Sequence, residues 1–171
     1  MEEIRENGGG GVKISFDLDE TLFVPPTTHE VEPKLPHPFD LLYKERLRKG
    51  TVRLIRQLRD EGFEVWVYTS SYRSVRYIRN LFRSYHVTFD GIINGEMHEK
   101  FVQRNKPYPL PTKMPNFFQI SLHIDDEDCV VQNGKVYGFP VFQVGPQDDQ
   151  WAEKIIAEAH RIQKLEELKR K

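Results

Sequence analysis

Short apolar runs and amphipathic stretches take turns along this chain. Residues 12–16 form a compact apolar run that ends at Asp17, and residues 63–68 (Phe-Glu-Val-Trp-Val-Tyr) form another that ends at Thr69. Both have the length and the sharp polar boundary of buried strands. Between them, residues 51–61 carry Val52, Ile55 and Leu58 on one helical face, and Gly62 stands where such a helix would stop. Residues 74–85 repeat the helical spacing with Val75, Ile78, Leu81, Phe82 and Tyr85, followed by a third strand over 88–93. A fourth strand is expected over 121–124, before Asp125-Asp126, and a fifth over 139–144. From Gln150 the pattern predicts a terminal helix with Asp148 or Asp149 as N-cap. Trp151, Ile155, Ile156 and Ala159 would face inward, and Lys169-Arg170-Lys171 suits the negative end of the helix dipole. This alternation predicts an α/β domain with a mainly parallel five-stranded sheet covered on both faces. Ligands bind such sheets at the carboxyl ends of the strands, where the acidic and hydroxyl residues fall.

Two segments interrupt the rhythm. Residues 24–38 contain five prolines and read as a surface loop, and residues 95–116, with Pro107, Pro109, Pro111 and Pro115, read as irregular. Asn133-Gly134 signals a turn before the fifth strand. Residues 1–11 are polar and end in four glycines, so they are expected to be a flexible leader to a single domain over 12–171.

Composition narrows the field. With 171 residues, 38% hydrophobic and 30% charged, the chain has material for one core of ordinary size. A net charge of -1 gives no global reason for a nucleic-acid or membrane partner. No apolar run approaches the ~18 residues of a membrane span, and the N-terminal residues lack a signal-peptide layout. No membrane association is expected, and a cytoplasmic location is. A single cysteine, Cys129, rules out an internal disulfide and a thiolate-rich metal site, so any metal must sit on oxygen or imidazole. Cys129 itself reads as a small buried filler, Trp66 and Trp151 as core residues, and His123 as a hydrogen-bonded interior residue. His29, His37 and His98 fall in loops without metal-ligand spacing.

The chemistry gathers at strand ends. Asp17 and Asp19 are two apart in an extended segment and so share a side, where two carboxylates can act as nucleophile and acid/base or hold a hard cation. Thr69 ends the second strand, Asp125-Asp126 end the fourth, and Lys106 and Lys113 precede the fourth within the proline-rich segment. This order resembles the four motifs of the haloacid dehalogenase (HAD) superfamily. Phe16-Asp17-Leu18-Asp19-Glu20-Thr21-Leu22 matches the first motif, Val65-Trp66-Val67-Tyr68-Thr69 the second and Leu122-His123-Ile124-Asp125-Asp126 the fourth. The third motif is a lysine, for which Lys113 is favoured over Lys106.

The resemblance implies a three-layer Rossmann-like HAD fold without a large cap domain, and a phosphomonoester hydrolase that uses Mg²⁺ and an aspartyl-phosphate. Asp17 would be the nucleophile and Asp19 the acid/base, with Thr69 and the lysine supporting the phosphoryl group. Mg²⁺ would be held by Asp17, the main-chain carbonyl of Asp19 and the Asp125-Asp126 pair, with Asp126 as direct ligand and Asp125 orienting the lysine. Ser70, Arg73 and Lys106 are candidate substrate contacts. The substrate is expected to be a phosphorylated small molecule, protein or nucleic-acid end. The alternatives are a catalytically silent phosphate- or partner-binding domain and a nucleic-acid 3'-end phosphatase. Residues 44–84 hold eleven cations against four anions, and Arg73, Arg76, Arg79 and Arg83 recur at helical spacing, as one basic stripe beside the presumed phosphate site.

Overall fold

The computed structural model describes residues 11–170. The expected leader thus lies outside the described residues except for Gly11. Five strands stand where the apolar runs place them, four somewhat shorter than their runs and the fourth displaced by one residue: β1 (Lys13–Phe16), β2 (Glu64–Tyr68), β3 (Gly91–Ile93), β4 (Leu122–Asp125) and β5 (Val141–Gln143). They form one sheet in the order β3-β2-β1-β4-β5, and every pairing is parallel. The chain therefore departs from central β1 to one side for β2 and β3 and to the other for β4 and β5. The crevice at the carboxyl ends of β1 and β4 lies at this reversal, the place where open α/β sheets bind ligands.

The helices are a short α1 (Phe39–Leu42), α2 (Thr51–Asp60), α3 (Val75–Ser84), α4 (Gly95–His98), α5 (Asp128–Tyr137) and α6 (Trp151–Lys169). The period-2 alternation of strands assigns the two sheet faces different work. Ile14 and Phe16, Val65 and Val67, and Leu122 and Ile124 all join the main core, packed with Leu54, Ile55 and Leu58 of α2, Ile78, Leu81 and Phe82 of α3, and Trp151, Ile155 and Ala159 of α6. Burial of each such side chain contributes roughly 1.5–3 kcal/mol, which sets the register of every strand. The residues between them in sequence point to the opposite face. There Trp66 and Tyr68 form a smaller apolar cluster with Ile93 and Ile120, while Ser15, His123 and Asp125 are polar and wholly buried.

Several local expectations are corrected. Asn133-Gly134 lies inside α5 rather than in a turn; a Cβ on Gly134 would stand 2.7 Å from the Phe139 carbonyl oxygen, so this glycine serves a close approach. The glycine that ends α5 is Gly138, at φ +75. The first part of residues 95–116 is helical. Asn94 caps α4 by accepting from Met97 N, and α4 runs on as a π-helix over Glu99–Gln103, with a 3-10 turn at Pro115–Phe118. The prolines begin only at Pro107, so their helix-breaking effect does not reach back this far. His98 accordingly lies in a helix and is buried, and Cys129 is exposed. At α6 the N-cap position is Gln150 with no side-chain cap, while Asp148 instead caps the preceding turn by accepting from Gln150 N at 3.0 Å. Arg73 precedes Ser74, the N-cap of α3, so the helical stripe begins at Arg76. No helix among the described residues is long and apolar enough to cross a membrane.

Candidate active site

Asp17 follows β1 directly, and its N–H donates to Ile124 O of β4 at 2.9 Å, so sheet pairing fixes the backbone of the first carboxylate. The next residues make one tight turn, closed by Leu22 N and Phe23 N donating to Leu18 O, with Glu20 in the left-handed region at φ 59. That turn carries Thr21 to Asp126, where its hydroxyl donates to Oδ1 at 3.1 Å. Thr69 is held at the end of β2 by its N–H on Ile93 O, and its Oγ1 accepts from Ser71 N at 3.1 Å.

Lys113 enters this frame from the loop before β4 and is 2% exposed. Its ammonium lies 2.6 Å from Asp125 Oδ2 and 2.9 Å from Asp17 Oδ1. One lysine thus faces two buried carboxylates, and their other partners decide how its charge is shared. Asp125 Oδ2 also accepts from His123 Nε2 at 2.9 Å, and Oδ1 accepts from Glu127 N at 3.0 Å. Burial opposes the Asp125 charge, yet His123 and Lys113 outweigh it and hold the carboxyl down at about 2. Asp17 lacks such help: burial, opposed by Lys113 and reinforced by the Asp125 charge, pushes its carboxyl up to about 7. Burial alone would lower the Lys113 ammonium, but the Asp17 and Asp125 charges reverse the shift and hold it above its ordinary value. Burial also raises the Asp126 carboxyl.

The Asp125 partner is part of a longer buried contact. His123 Nδ1 lies 2.7 Å from Ser15 Oγ. Burial lowers the His123 pKa and so favours the neutral ring, on which Asp125, an acceptor only, requires the proton at Nε2. Nδ1 then accepts from the Ser15 hydroxyl. Beside Lys113, Met114 N donates to the buried Tyr68 hydroxyl at 2.9 Å, and that hydroxyl is hydrogen-bonded to His98 Nδ1 at 2.6 Å.

Asp19 has turned to the rim. Its two oxygens accept from Arg73 Nη1 and Nη2 at 2.8 and 2.9 Å, and Arg73 Nε donates to Glu45 Oε1 at 3.1 Å. Tyr77 donates to the other Glu45 oxygen at 2.6 Å. The guanidinium stacks over Phe23, 5.4 Å from the ring centroid.

The structure therefore brings Asp17, Lys113, Asp125 and Asp126 together, sets Thr69 at the neighbouring strand end, and pairs Asp19 with Arg73 at the edge. Ser70 is exposed beside Thr69, and its carbonyl packs so closely on Gly95 that a Cβ there would stand 2.6 Å away. Lys106 stays exposed outside the cluster, and of the two lysines Lys113 is the one that meets Asp17 and Asp125. The sequence motifs do not mark Ser15, Glu45 or Tyr77, and they mark His123 only as interior. The signal for Ser15 and His123 was strand parity: each stands two residues before a site aspartate.

Carboxylate oxygens of Asp17, Asp125 and Asp126 lie within 4.8 Å of one another. Apart from Lys113, Asp17 Oδ1 has no polar partner among the described residues although it is buried. An all-oxygen set with more negative than positive charge and an under-satisfied buried oxygen fits a hard divalent cation.

No family model matches the chain, and no curated protein matches it. Among solved structures, a HAD-superfamily hydrolase of subfamily IA, variant 1, from Geobacter sulfurreducens PCA aligns with a TM-score of 0.50 at 13% identity, over 78% of this chain and 89% of that one. An uncharacterized protein from Listeria monocytogenes serotype 4b aligns at 0.48 and 18% identity, over 82% and 80% of the two chains. A chain described as a predicted HAD-like family hydrolase from Porphyromonas gingivalis aligns at 0.46 and 13% identity, over 83% and 95%.

Proposed function

Because the chain has the HAD-like fold, with its acidic cluster at the carboxyl ends of β1 and β4, we propose that it is a phosphomonoester hydrolase that uses Mg²⁺ and passes through an aspartyl-phosphate. The observation that carries this reading is the meeting of one buried lysine with Asp17 and Asp125 at 2.9 and 2.6 Å, with Asp126 alongside.

In the first step the Asp17 carboxylate attacks phosphorus, and the bond from phosphorus to the leaving oxygen breaks as Asp19 delivers a proton to that oxygen. In the second, water attacks the phosphorus of the aspartyl-phosphate and gives its proton to Asp19. Phosphate leaves and the Asp17 carboxylate is restored. Asp19 has a half-exposed side chain and can meet a leaving group arriving from solvent, at the cost of one of its two Arg73 bonds. Lys113 stands against Asp17, where its charge offsets the negative charge of the transferring phosphoryl group. The Thr69 oxygen accepts from Ser71 N, which leaves its own O–H to donate to a phosphate oxygen.

A bound Mg²⁺ would supply neutralisation of the clustered carboxylates and polarisation of the phosphate. Asp17, Asp126 and the Asp19 carbonyl would hold it. Both Asp125 oxygens are committed to Lys113, His123 and Glu127, whereas among described side chains Asp126 holds only the Thr21 hydroxyl.

The test is turnover of a panel of aryl, sugar, nucleotide, oligonucleotide and peptide phosphates with Mg²⁺ and with EDTA. Hydrolysis that EDTA abolishes is expected. Binding of Mg²⁺ and phosphate without hydrolysis of any member would replace the enzyme with a phosphate-binding domain.

A further inference from the structure

Three polar residues on one sheet face are wholly buried. The β1–β4 register places Ser15 opposite His123, and parity places Asp17 and Asp125 one step further along the same face. Ser15, His123 and Asp125 are each 0% exposed. Their contacts run in a line toward the site: Ser15 Oγ to His123 Nδ1 at 2.7 Å, His123 Nε2 to Asp125 Oδ2 at 2.9 Å, and Lys113 Nζ to the same Oδ2 at 2.6 Å. The Tyr68 ring, 5.9 Å from the imidazole, covers its flank. Building on the reading of Lys113 and Asp17 as residues of the reacting site, we propose that Ser15 and His123 form a buried positioning pair that holds the Asp125 carboxylate on Lys113.

A carboxylate attached by one donor can rotate about its Cβ–Cγ bond. Asp125 has donors at both oxygens, with Glu127 N on Oδ1 and His123 and Lys113 on Oδ2, so its plane is fixed. His123 is the partner that keeps Oδ2 turned to the lysine independently of it. The serine fixes the imidazole in turn, because its hydroxyl proton occupies Nδ1 and leaves the ring proton at Nε2. Fixed in this way, Asp125 anchors the ammonium 2.9 Å from Asp17. His123 is a positioning residue: it touches Asp125 and not the reacting atoms.

Two amide replacements separate this role from simple packing. In His123→Gln the side-chain nitrogen reaches the former Nε2 position and can still donate to Asp125; in His123→Asn the shorter amide reaches only the Nδ1 position beside Ser15. We expect His123→Asn to lower kcat on an aryl phosphate by about 10- to 100-fold, the range for loss of an orienting partner, with little change in KM, and His123→Gln to restore most of it. The second readout is the Lys113 Nζ cross-peak in a ¹H–¹⁵N spectrum of the metal-free protein, visible in wild type and His123→Gln and broadened away in His123→Asn. Equal kcat in His123→Asn and wild type, or equal loss and an equally persistent cross-peak in both variants, overturns the proposal. Ser15→Ala is the milder check should the amide variants not fold. A smaller loss of kcat is expected, and an unchanged kcat and cross-peak overturns the pair. If wild type hydrolyses nothing, the phosphatase reading fails, and the cross-peak comparison still decides the positioning pair.

Discussion

The two aspartates of one Asp-x-Asp turn end in opposite environments. The Asp17 side chain is 7% exposed and faces Lys113 at 2%, whereas the Asp19 side chain is 50% exposed and faces Arg73 at 30%. Each is a carboxylate against a cation at hydrogen-bonding distance, yet the two do different work. The inner pair is shielded from solvent, so removing one member leaves an uncompensated buried charge that costs about 3–5 kcal/mol. The rim pair exchanges readily with water and contributes about 0–1 kcal/mol. A nucleophile gains from the rigid surroundings. A group that must give and take a proton from changing leaving groups gains from a pair that opens easily.

The sharpest way to break this contrast is at the lysine. Lys113→Ala should abolish turnover and lower unfolding free energy by about 3–5 kcal/mol in urea titrations. Lys106→Ala, at an exposed position, should leave stability within about 0.5 kcal/mol and activity unchanged. A reversed pattern would remove Lys113 from the mechanism. Next in size is Asp19→Asn. Loss of a general acid costs about 10²- to 10⁴-fold for a poor alkyl leaving group, and the loss should be visibly smaller for a p-nitrophenyl group, which departs without a proton. Equal losses for both would show that Asp19 does not protonate the leaving oxygen.

The inner environment also has a pH signature. Burial pushes the folded Asp17 carboxyl up to about 7, while the unfolded chain releases that proton near the ordinary carboxyl value of 3.8. Between those values the folded state binds the extra proton, so this group's contribution to stability falls as pH rises from about 4 to 7. In metal-free protein, the stability of Asp17→Asn relative to wild type should therefore grow from pH 5 to 8, by up to a few kcal/mol at about 1.4 kcal/mol per unit. Asp125, held at about 2, loses its contribution only as pH falls below the unfolded carboxyl range and does not interfere. A pH-independent difference would place Asp17 in a wetter site than described. The smallest effect belongs to the rim: Arg73→Ala should change stability by no more than about 1 kcal/mol. It should raise KM more for multiply phosphorylated substrates than for an aryl phosphate, and added salt should weaken the former more steeply. Identical KM changes would confine Arg73 to holding Asp19.

The legible part of this molecule was the part written in strand ends. Apolar runs that stop at Asp17, Thr69 and Asp125-Asp126 gave the parallel sheet and the side of it on which the chemistry falls. What did not show was depth. Nothing local to Asp17-Leu18-Asp19 reveals that one carboxylate is buried against a lysine 96 residues away and the other exposed against an arginine, since both outcomes depend on loops packing over the sheet edge. Helix α5 was lost to the Asn-Gly turn signal, because the close approach of Phe139 that calls for Gly134 is a tertiary contact. Cys129 looked like filler for its type but lies on the exposed side of α5. Ser15 and His123 were readable in principle: each is a polar residue in an otherwise apolar strand, two before a site aspartate.

The central claim is that Asp17 becomes phosphorylated during turnover, and borohydride trapping tests it most directly. The reagent reduces an aspartyl-phosphate to homoserine while leaving a free carboxylate untouched. Wild-type protein quenched with borohydride during hydrolysis of an aryl phosphate in Mg²⁺ should yield homoserine at position 17 in peptide mass spectra, and the same protein without substrate should yield aspartate there. Steady hydrolysis with an unmodified Asp17, or with the modification at Asp19, would contradict the account.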